Sequence, residues 1–173
     1  MNTDLSSLSG LARLTEISRY DLAAPELRTA LDDVARRTAA RLGQPISLVT
    51  VVLDTAELVV GSHGPLGWIA ETGGAPAEWA FCAQLVRDGR PYVVPDLAAD
   101  PVQHDNPVVF RDGARSYAGI PLVSANGHVL GGHCVVGVEP RRYGEADLEV
   151  LRRGGEEALA LLRRYRDGTA EAG

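Results

Sequence analysis

Two cysteines, Cys82 and Cys134, carry the most obvious chemistry in this 173-residue chain. They are far apart in sequence and lie outside any C-x-x-C motif, a pattern that favours two reduced, buried thiols over a disulfide framework or a zinc site. A redox pair is the alternative, and it requires their Cα atoms to come within about 7 Å. We predict no metal site, because metal-ligand spacing is absent among the four histidines, His63, His104, His128 and His133.

Other catalytic chemistries find little support in the residue types. All 17 basic residues are Arg, and the lack of Lys removes Schiff-base and P-loop lysine chemistry. The motifs G-x-S-x-G, G-x-G-x-x-G and H-E-x-x-H are absent. The aspartate-rich segment 95–107 offers carboxylates for acid–base work only if two of them converge on a cleft, which spacing does not show. We therefore predict that the chain is not an enzyme.

Composition limits the partners and the compartment. Apolar residues make up 45% and charged residues 23% of the chain, which predicts one packed globular domain. The net charge of −6 argues against nucleic acid or an anionic membrane as the main partner. The sequence has no run of roughly 18 to 20 apolar residues and no secretory signal pattern, so we expect a cytoplasmic protein.

The elements that would position these residues follow from periodicity and from turn residues. Pro25 and Gly43 bracket a helix, and Asn126-Gly127 predicts a hairpin turn because both residues tolerate positive φ. The aspartate-rich segment is expected to be functional or a lid. The predicted helices are 5–20, 25–42, 76–88 and 145–166, with one or two helical turns in 106–113. The predicted strands are 46–53, 57–62, 91–94, 116–124 and 128–139, and 63–74 is predicted to be a loop.

The last predicted helix carries an apolar seam of Leu148, Leu151, Gly155, Ala158, Leu162 and Tyr165. Gly154 and Gly155 each cost about 1 kcal/mol in a helix interior, which suggests that another helix approaches closely there. The seam is typical of a subunit interface, and the alternative is a helix lying on its own sheet. The arginines of this helix alternate with glutamates at helical spacing, which favours a solvated, ion-paired face over a nucleic-acid surface.

An ordered set of short motifs runs through residues 79–142, and it resembles the GAF domain, specifically the subgroup found in bacterial histidine kinases and related signalling proteins. The motifs are Phe81-Cys82 on a helix, Pro95-Asp96, Asp100, Asn106-Pro107, the strand 115–122, Leu130-Gly131 followed by Cys134, and Pro140-Arg141. The resemblance covers roughly residues 22–165.

This resemblance implies an α+β fold. An antiparallel sheet would carry the N- and C-terminal helices on one face and a ligand pocket, under loops and short helices, on the other. It divides the chain into an N-terminal helix over 1–21 that is a candidate dimer contact, a stand-alone GAF domain over 22–166 and a disordered tail over 167–173. Departures from the family leave the ligand and any cofactor unknown. The chain lacks a Cys-His pair for a bilin, the Asn-Lys-x-Asp element of cyclic-nucleotide-binding relatives, and the cysteine cluster of free methionine sulfoxide reductases.

Strand alternation tests the pocket independently of the family. It predicts Leu130, Gly132, Cys134, Val136 and Val138 on one face of their strand. By similarity to the family we place Cys134 on the pocket side and His133 towards the helices, where a hydrogen-bonded core histidine is favoured over a haem or metal ligand.

The candidate ligand-binding residues are Phe81, Cys82, Asp96, Tyr117 and Cys134. Tyr117 alternatively packs in the core, and Asp96 and Asp100 alternatively serve only local turns.

The function that the resemblance implies is that of a sensor. It would bind a small molecule, form a homodimer through its terminal helices, and act in signal transduction through a signalling-protein partner. The alternatives are a thiol-based reductase that uses Cys82 or Cys134, related to the free methionine sulfoxide reductases, and a ligand-free dimerisation module.

Overall fold

A computed structural model of the chain describes residues 6–167. Within that range lie six α-helices: α1 (Leu11–Ile17), α2 (Pro25–Leu42), α3 (Trp68–Thr72), α4 (Ala83–Asp88), α5 (Pro107–Phe110) and α6 (Glu145–Arg163). Short 3-10 turns cover Ser6–Ser9 and Ala77–Trp79. The predicted disordered tail, apart from Asp167, lies outside the described residues, as does Leu5 at the start of the first predicted helix.

Six strands in the described range form one antiparallel sheet of order β3-β2-β1-β6-β5-β4. They are β1 (Ile46–Val52), β2 (Ala56–His63), β3 (Gly74–Pro76), β4 (Tyr92–Val94), β5 (Ser116–Val123) and β6 (Val129–Gly137). The predicted α+β fold with an antiparallel sheet is therefore confirmed.

Each face of the sheet has its own apolar core. On one face, α2 and α6 pack against the sheet through residues such as Leu31, Val49, Val135, Ala158 and Leu162. On the other face, α4, α5 and the connecting loops cover a second set that includes Val59, Leu85, Leu97 and Val109. The two faces thus separate a helical layer from a layer of short helices and loops, as the family resemblance implies.

The N-terminal segment contributes to both cores. Leu8 is buried in the second core, and Ile17 is buried in the helical one. The buried Arg13 donates hydrogen bonds to the carbonyl oxygens of Val52 and Leu8, at 2.6 Å and 2.7 Å. This part of the predicted dimer contact is therefore covered within its own chain, whereas Leu11 is 80% exposed.

The segment around the predicted helix 76–88 differs from the expectation. Pro76 pairs with Ala56 as the end of β3, and Ala80 is extended, with φ −80° and ψ 119°. An edge strand tolerates Pro76 because that residue lacks only a hydrogen-bond donor. The helix prediction is wrong in its first half, and Gly89 ends α4 in the left-handed conformation. The predicted loop 63–74 contains α3.

The predicted hairpin of β5 and β6 is present at Asn126-Gly127, but the alternation of its second strand differs from prediction. Only Gly127 of the turn has positive φ, at 83°. Ser124 donates its N–H to the His128 carbonyl oxygen, at 2.8 Å, and so closes a longer loop than a two-residue turn. The register then shifts, because Leu122 pairs with Gly131 and Val123 pairs with Val129.

This bulge reverses the alternation at the start of β6. Leu130 therefore packs in the helical core, and Val129 packs against the opposite core. The prediction that Leu130 shares a face with Cys134 is wrong.

The glycines of α6 are explained by packing within the chain. A Cβ on Gly155 would lie 2.6 Å from Ile120 Cδ1, and one on Gly154 would lie 2.6 Å from His133 Nε2 and 2.9 Å from Thr38 Oγ1. The helix that approaches α6 closely is α2 of the same chain, which carries Thr38. The sheet approaches these glycines equally closely. The central seam residues Leu151, Gly155, Ala158 and Leu162 are buried in one chain. They leave no surface for a second subunit.

The solvent face of α6 carries the expected ion pairs. Arg152 pairs with Glu145 at 2.5 Å, and Arg153 pairs with Glu149 at 3.2 Å. Among residues 6–167, no helix is both long and apolar enough to cross a membrane.

Candidate ligand cavity

A cavity of about 340 Å³ lies between the second face of the sheet and the segments that cover it. This volume is at the small end of the range for small-molecule sites. Its wall is mainly apolar and draws on strands, helices and loops: Ile46, Leu48, Leu66, Ile69, Val108 and Val136. The strands provide a continuous floor, while α3, α5 and the 3-10 turn at Ala77–Trp79 provide the roof.

Two tryptophans form the roof of the cavity. The rings of Trp68 and Trp79 meet edge to face, with their centroids 5.9 Å apart. The Trp68 indole donates to Asp112 Oδ2 at 2.8 Å. The Arg111 guanidinium lies 5.5 Å from the Trp68 ring centroid and 5.7 Å from that of Trp79. Tryptophan rings of this kind attract cations through their negative faces.

The roof is held in place by the end of the aspartate-rich segment. Asn106 is buried, accepts the Val108 N–H at 3.0 Å and so begins α5. Its side-chain amide donates to the Trp79 carbonyl oxygen at 3.1 Å and to Gln103 Oε1 at 3.1 Å. Gln103 in turn donates to the Tyr92 hydroxyl at 3.1 Å. The segment predicted to be functional or a lid is thus anchored by buried polar contacts.

Four of the five predicted site residues come together. The Sγ atoms of Cys82 and Cys134 are 3.9 Å apart, and the Tyr117 hydroxyl lies 3.1 Å from Cys82 Sγ. The rings of Phe81 and Tyr117 are tilted, with their centroids 5.2 Å apart. Phe81 lines the cavity, whereas Cys82, Tyr117 and Cys134 are fully buried beside it, outside its lining.

The fifth predicted site residue, Asp96, lies away from this cavity. Its carboxylate accepts the Ala98 N–H at 3.1 Å, which is the local turn chemistry that the sequence analysis kept as an alternative. Asp100 behaves in the same way and accepts the N–H groups of Val102 and Gln103. These carboxylates do not converge on the cavity.

The thiols have a poor environment for nucleophilic chemistry. The hydrogen bond with Cys134 and burial raise the pKa of Cys82 well above its ordinary value. A thiol in this state stays protonated near neutral pH, and the thiolate is the reactive form. Both cysteines are free in this structure, with Sγ atoms too far apart for a bond. Among the described residues, no cluster of three or more His, Cys, Asp or Glu could hold a metal ion.

His133 lies in the helical layer, on the side away from the cavity. Its Nδ1 is 2.9 Å from the Leu48 carbonyl oxygen, and its Nε2 is 2.8 Å from Thr38 Oγ1. Burial lowers the pKa of His133 to about 4, against the opposing effect of the Leu48 hydrogen bond. This arrangement matches a neutral core histidine.

Sequence reasoning missed Glu57, the one acidic side chain deep in the cavity wall. Glu57 is 6% exposed, and its Oε2 atom is buried without a hydrogen-bond partner. Burial and the neighbouring Cys82 raise the pKa of Glu57 well above its ordinary value. Its position two residues before Val59, on the same strand face, was the available signal, since Val59 belongs to the core beside the cavity.

Comparisons with known proteins agree with this architecture. A family model described as "GAF domain" matches residues 26–162. A cyclic di-GMP phosphodiesterase from Pseudomonas aeruginosa is 34% identical over 93 residues, which are 53% of this chain and 16% of that protein. The chain therefore spans only a small part of that relative.

Two solved structures illustrate the shared fold. The type II free methionine-R-sulfoxide reductase from Thermoplasma acidophilum superposes with a TM-score of 0.67 at 12% identity, over 84% of this chain and 98% of that chain. The GAF domain of an Acinetobacter phosphoenolpyruvate-protein phosphotransferase gives a TM-score of 0.66 at 13% identity, over 95% of each chain. At such identities, the likeness concerns the fold alone.

Proposed function

Since this chain belongs to the GAF domain family, we propose that it is a sensory module that binds a small molecule in the cavity under α3 and α5. One observation carries the proposal. The cavity of about 340 Å³ combines an apolar wall with a single buried carboxyl that has no protein partner on one oxygen. Ligand sites typically have this composition, with a mainly apolar wall and few polar groups that set orientation.

The signal would leave the site through its roof. Trp79 and α5 are joined by the buried amide of Asn106, so a ligand that displaces Trp79 also displaces the end of the aspartate-rich segment. That segment is on the surface around Val102, which is 55% exposed. We propose that a partner signalling protein binds this surface. Its affinity would change with the ligand because the surface has a different conformation in the ligand-bound state.

A matched pair of variants tests the ligand site. Val138 lines the cavity mouth and is 58% exposed, so Val138→Phe fills the mouth with little strain in the core. Val123, 38% exposed and outside the lining, provides the control Val123→Phe. Native mass spectrometry of protein from its source organism should show a reproducible mass excess that Val138→Phe lowers and Val123→Phe retains. A bare mass in every sample, or an excess unaffected by Val138→Phe, contradicts the proposal.

We propose that the module has no catalytic activity. The reductase alternative would need a reactive thiolate at Cys82 or Cys134, and the burial of both thiols together with the raised pKa of Cys82 disfavours one. The Cys82→Ser and Cys134→Ser variants and the parent should all fail to reduce free methionine sulfoxide when a dithiol reductant is supplied. Turnover by the parent that either variant abolishes would establish the enzyme instead.

Homodimerisation through the terminal helices is proposed for surfaces other than the buried seam. The exposed Leu11 on α1 is the strongest apolar candidate in this region. Analytical ultracentrifugation should show a dimer that Leu11→Glu weakens, and a monomer at all concentrations contradicts it. We also propose a cytoplasmic location, supported by two neighbouring thiols that no disulfide joins. Cell fractionation tests that assignment.

A further inference from the structure

The carboxyl of Glu57 is a polar group with unsatisfied hydrogen-bonding capacity in the wall of a mainly apolar cavity. One of its oxygens is buried and has no hydrogen-bond partner in the protein. A buried polar atom of this kind destabilises the folded protein when no hydrogen-bond partner satisfies it. Because Glu57 lines the cavity, a molecule bound there can supply the missing partner.

The charges around the cavity decide what kind of partner fits. Among the described residues of the lining, Glu57 and Asp112 are the two ionisable side chains, and both are acidic. Asp112 is already engaged, since it accepts the Trp68 indole N–H and pairs with Arg111. An anionic head group would therefore meet the Glu57 carboxyl, while the Arg111 guanidinium at the tryptophan roof is already paired with Asp112. A cationic head group would meet a free acceptor.

We propose that Glu57 is the recognition group of the cavity, and that the cavity takes an apolar molecule carrying one protonated amine. This inference rests on the proposed function, because it names the ligand class of the same site. The apolar wall would take the body of the molecule, and the ammonium group would donate to Glu57 Oε2. The cavity would discriminate against carboxylates and phosphates of the same shape.

Binding of such an amine should release a proton. Burial raises the pKa of Glu57 well above its ordinary value, which favours the protonated, neutral carboxyl in the empty cavity. The groups that face it are Cys82, Thr50 and Tyr117, with Asp112 elsewhere in the same wall. None of these is a cation, and an ammonium group would be the first positive charge to favour the ionised carboxylate.

Three probes with one body and different heads test the ligand class: 4-phenylbutylamine, 4-phenylbutan-1-ol and 4-phenylbutyrate. Their affinities are measured by calorimetry on the wild-type chain, Glu57→Gln and the control Glu78→Gln, whose side chain is exposed near the roof. We expect the amine to bind the wild type at least about tenfold more tightly than the carboxylate does. Glu57→Gln should lose that preference, and Glu78→Gln should keep it.

Proton release provides a second measurement on the same samples. Titrations in phosphate and in Tris, which differ in ionisation enthalpy, give the number of protons released with the amine. The wild type should release about one proton more than Glu57→Gln does. Equal proton counts for the two proteins overturn the assignment of Glu57.

The outcomes separate this inference from the proposed function. If all three probes bind equally well, the cavity is a ligand site but Glu57 does not select the head group, and only the inference fails. If the preference for the amine survives in Glu57→Gln, the inference also fails. If no probe binds the wild type, the inference fails, and the source-purified mass measurement then decides the proposed function alone.

Discussion

Acid should destabilise this protein through His133, the buried histidine of the helical layer. The Leu48 carbonyl can only accept a hydrogen bond, so Nδ1 carries the proton and Nε2 accepts from the Thr38 hydroxyl. Protonation would place a positive charge on the imidazole in a buried site where both ring nitrogens already have hydrogen-bond partners. Burial away from water makes the folded state bind this proton poorly and lowers the pKa of His133 to about 4, against the opposing effect of the Leu48 hydrogen bond.

The magnitude follows from the difference between the two states. A histidine in the unfolded chain has a pKa of about 6.5, so between pH 6.5 and pH 4 the unfolded state binds more protons than the folded state. Stability from His133 is present above pH 6.5 and is lost as the pH falls towards 4. Between pH 7.5 and pH 5, the expected loss is about 2 kcal/mol, at roughly 1.4 kcal/mol per pH unit.

Urea unfolding at these two pH values, followed by circular dichroism, measures the effect. Between pH 7.5 and pH 5, the free energy of unfolding of His133→Asn should fall by about 2 kcal/mol less than that of the wild type. This difference does not depend on how stable the variant is at pH 7.5. The control His63→Asn, at the exposed end of β2, should keep the wild-type difference. If His133→Asn is too unstable to study, the His133 resonance of the wild type should titrate near pH 4 by NMR. An identical pH dependence in wild type and His133→Asn would refute the reasoning.

Three further predictions concern packing, an ion pair and the thiols. Gly154→Ala should lower the free energy of unfolding in urea by about 1–3 kcal/mol, although alanine has the higher helix propensity. The reason is that the new Cβ would lie 2.6 Å from the buried His133 imidazole and 2.9 Å from Thr38 Oγ1. A stabilised variant contradicts this prediction. Hydrogen bonding by Arg166 lowers the pKa of Glu16 to about 2, so Glu16→Gln should cost about 1–2 kcal/mol at pH 7. That difference should shrink as the pH falls from 4.5 towards 2, and a difference unchanged at pH 3 opposes the assignment. The thiols of Cys82 and Cys134 should react with Ellman's reagent only as fast as the core opens, and reaction at the rate of a free thiol excludes their burial.

The elements predicted well from sequence are those with local signals. Pro25 begins α2 and Gly43 ends it with φ of 60°, because each residue favours one backbone conformation regardless of distant contacts. Asn126-Gly127 likewise locates a hairpin. Its turn geometry depends instead on the bulge at Leu130. The bulge arises from the pairing of two strands, so the sequence of either strand alone does not predict it.

Alternation with Val59 was the one local signal for the acidic residue of the cavity, and alternation alone does not show that a side chain is buried. Glu57 stands at the second position of β2, where a glutamate ordinarily reaches solvent. Its carboxyl is buried beside Cys82, Thr50 and Tyr117 on the covered face, and β3, which pairs Ala75 with Glu57, makes β2 an interior strand. The segment that forms β3 was predicted to be part of a loop and the start of a helix. An error in one element thus concealed the burial of a residue in another.

The predicted cluster and the actual cavity are neighbours for a geometrical reason. Strand alternation correctly groups Gly132, Cys134 and Val136 on one face, but it carries no information on the distance between that face and its cover. At Gly132 the cover lies directly on the sheet, since a Cβ there would be 2.4 Å from Leu85 Cδ1 of α4. At Val136, four residues along the same strand, the cover is the tryptophan roof, which leaves the cavity open. The thiols lie under the closed part, and Glu57 lines the open part with its carboxyl facing Cys82, so the end of the cover formed by α4 marks where buried core residues give way to cavity-lining ones on a single sheet face.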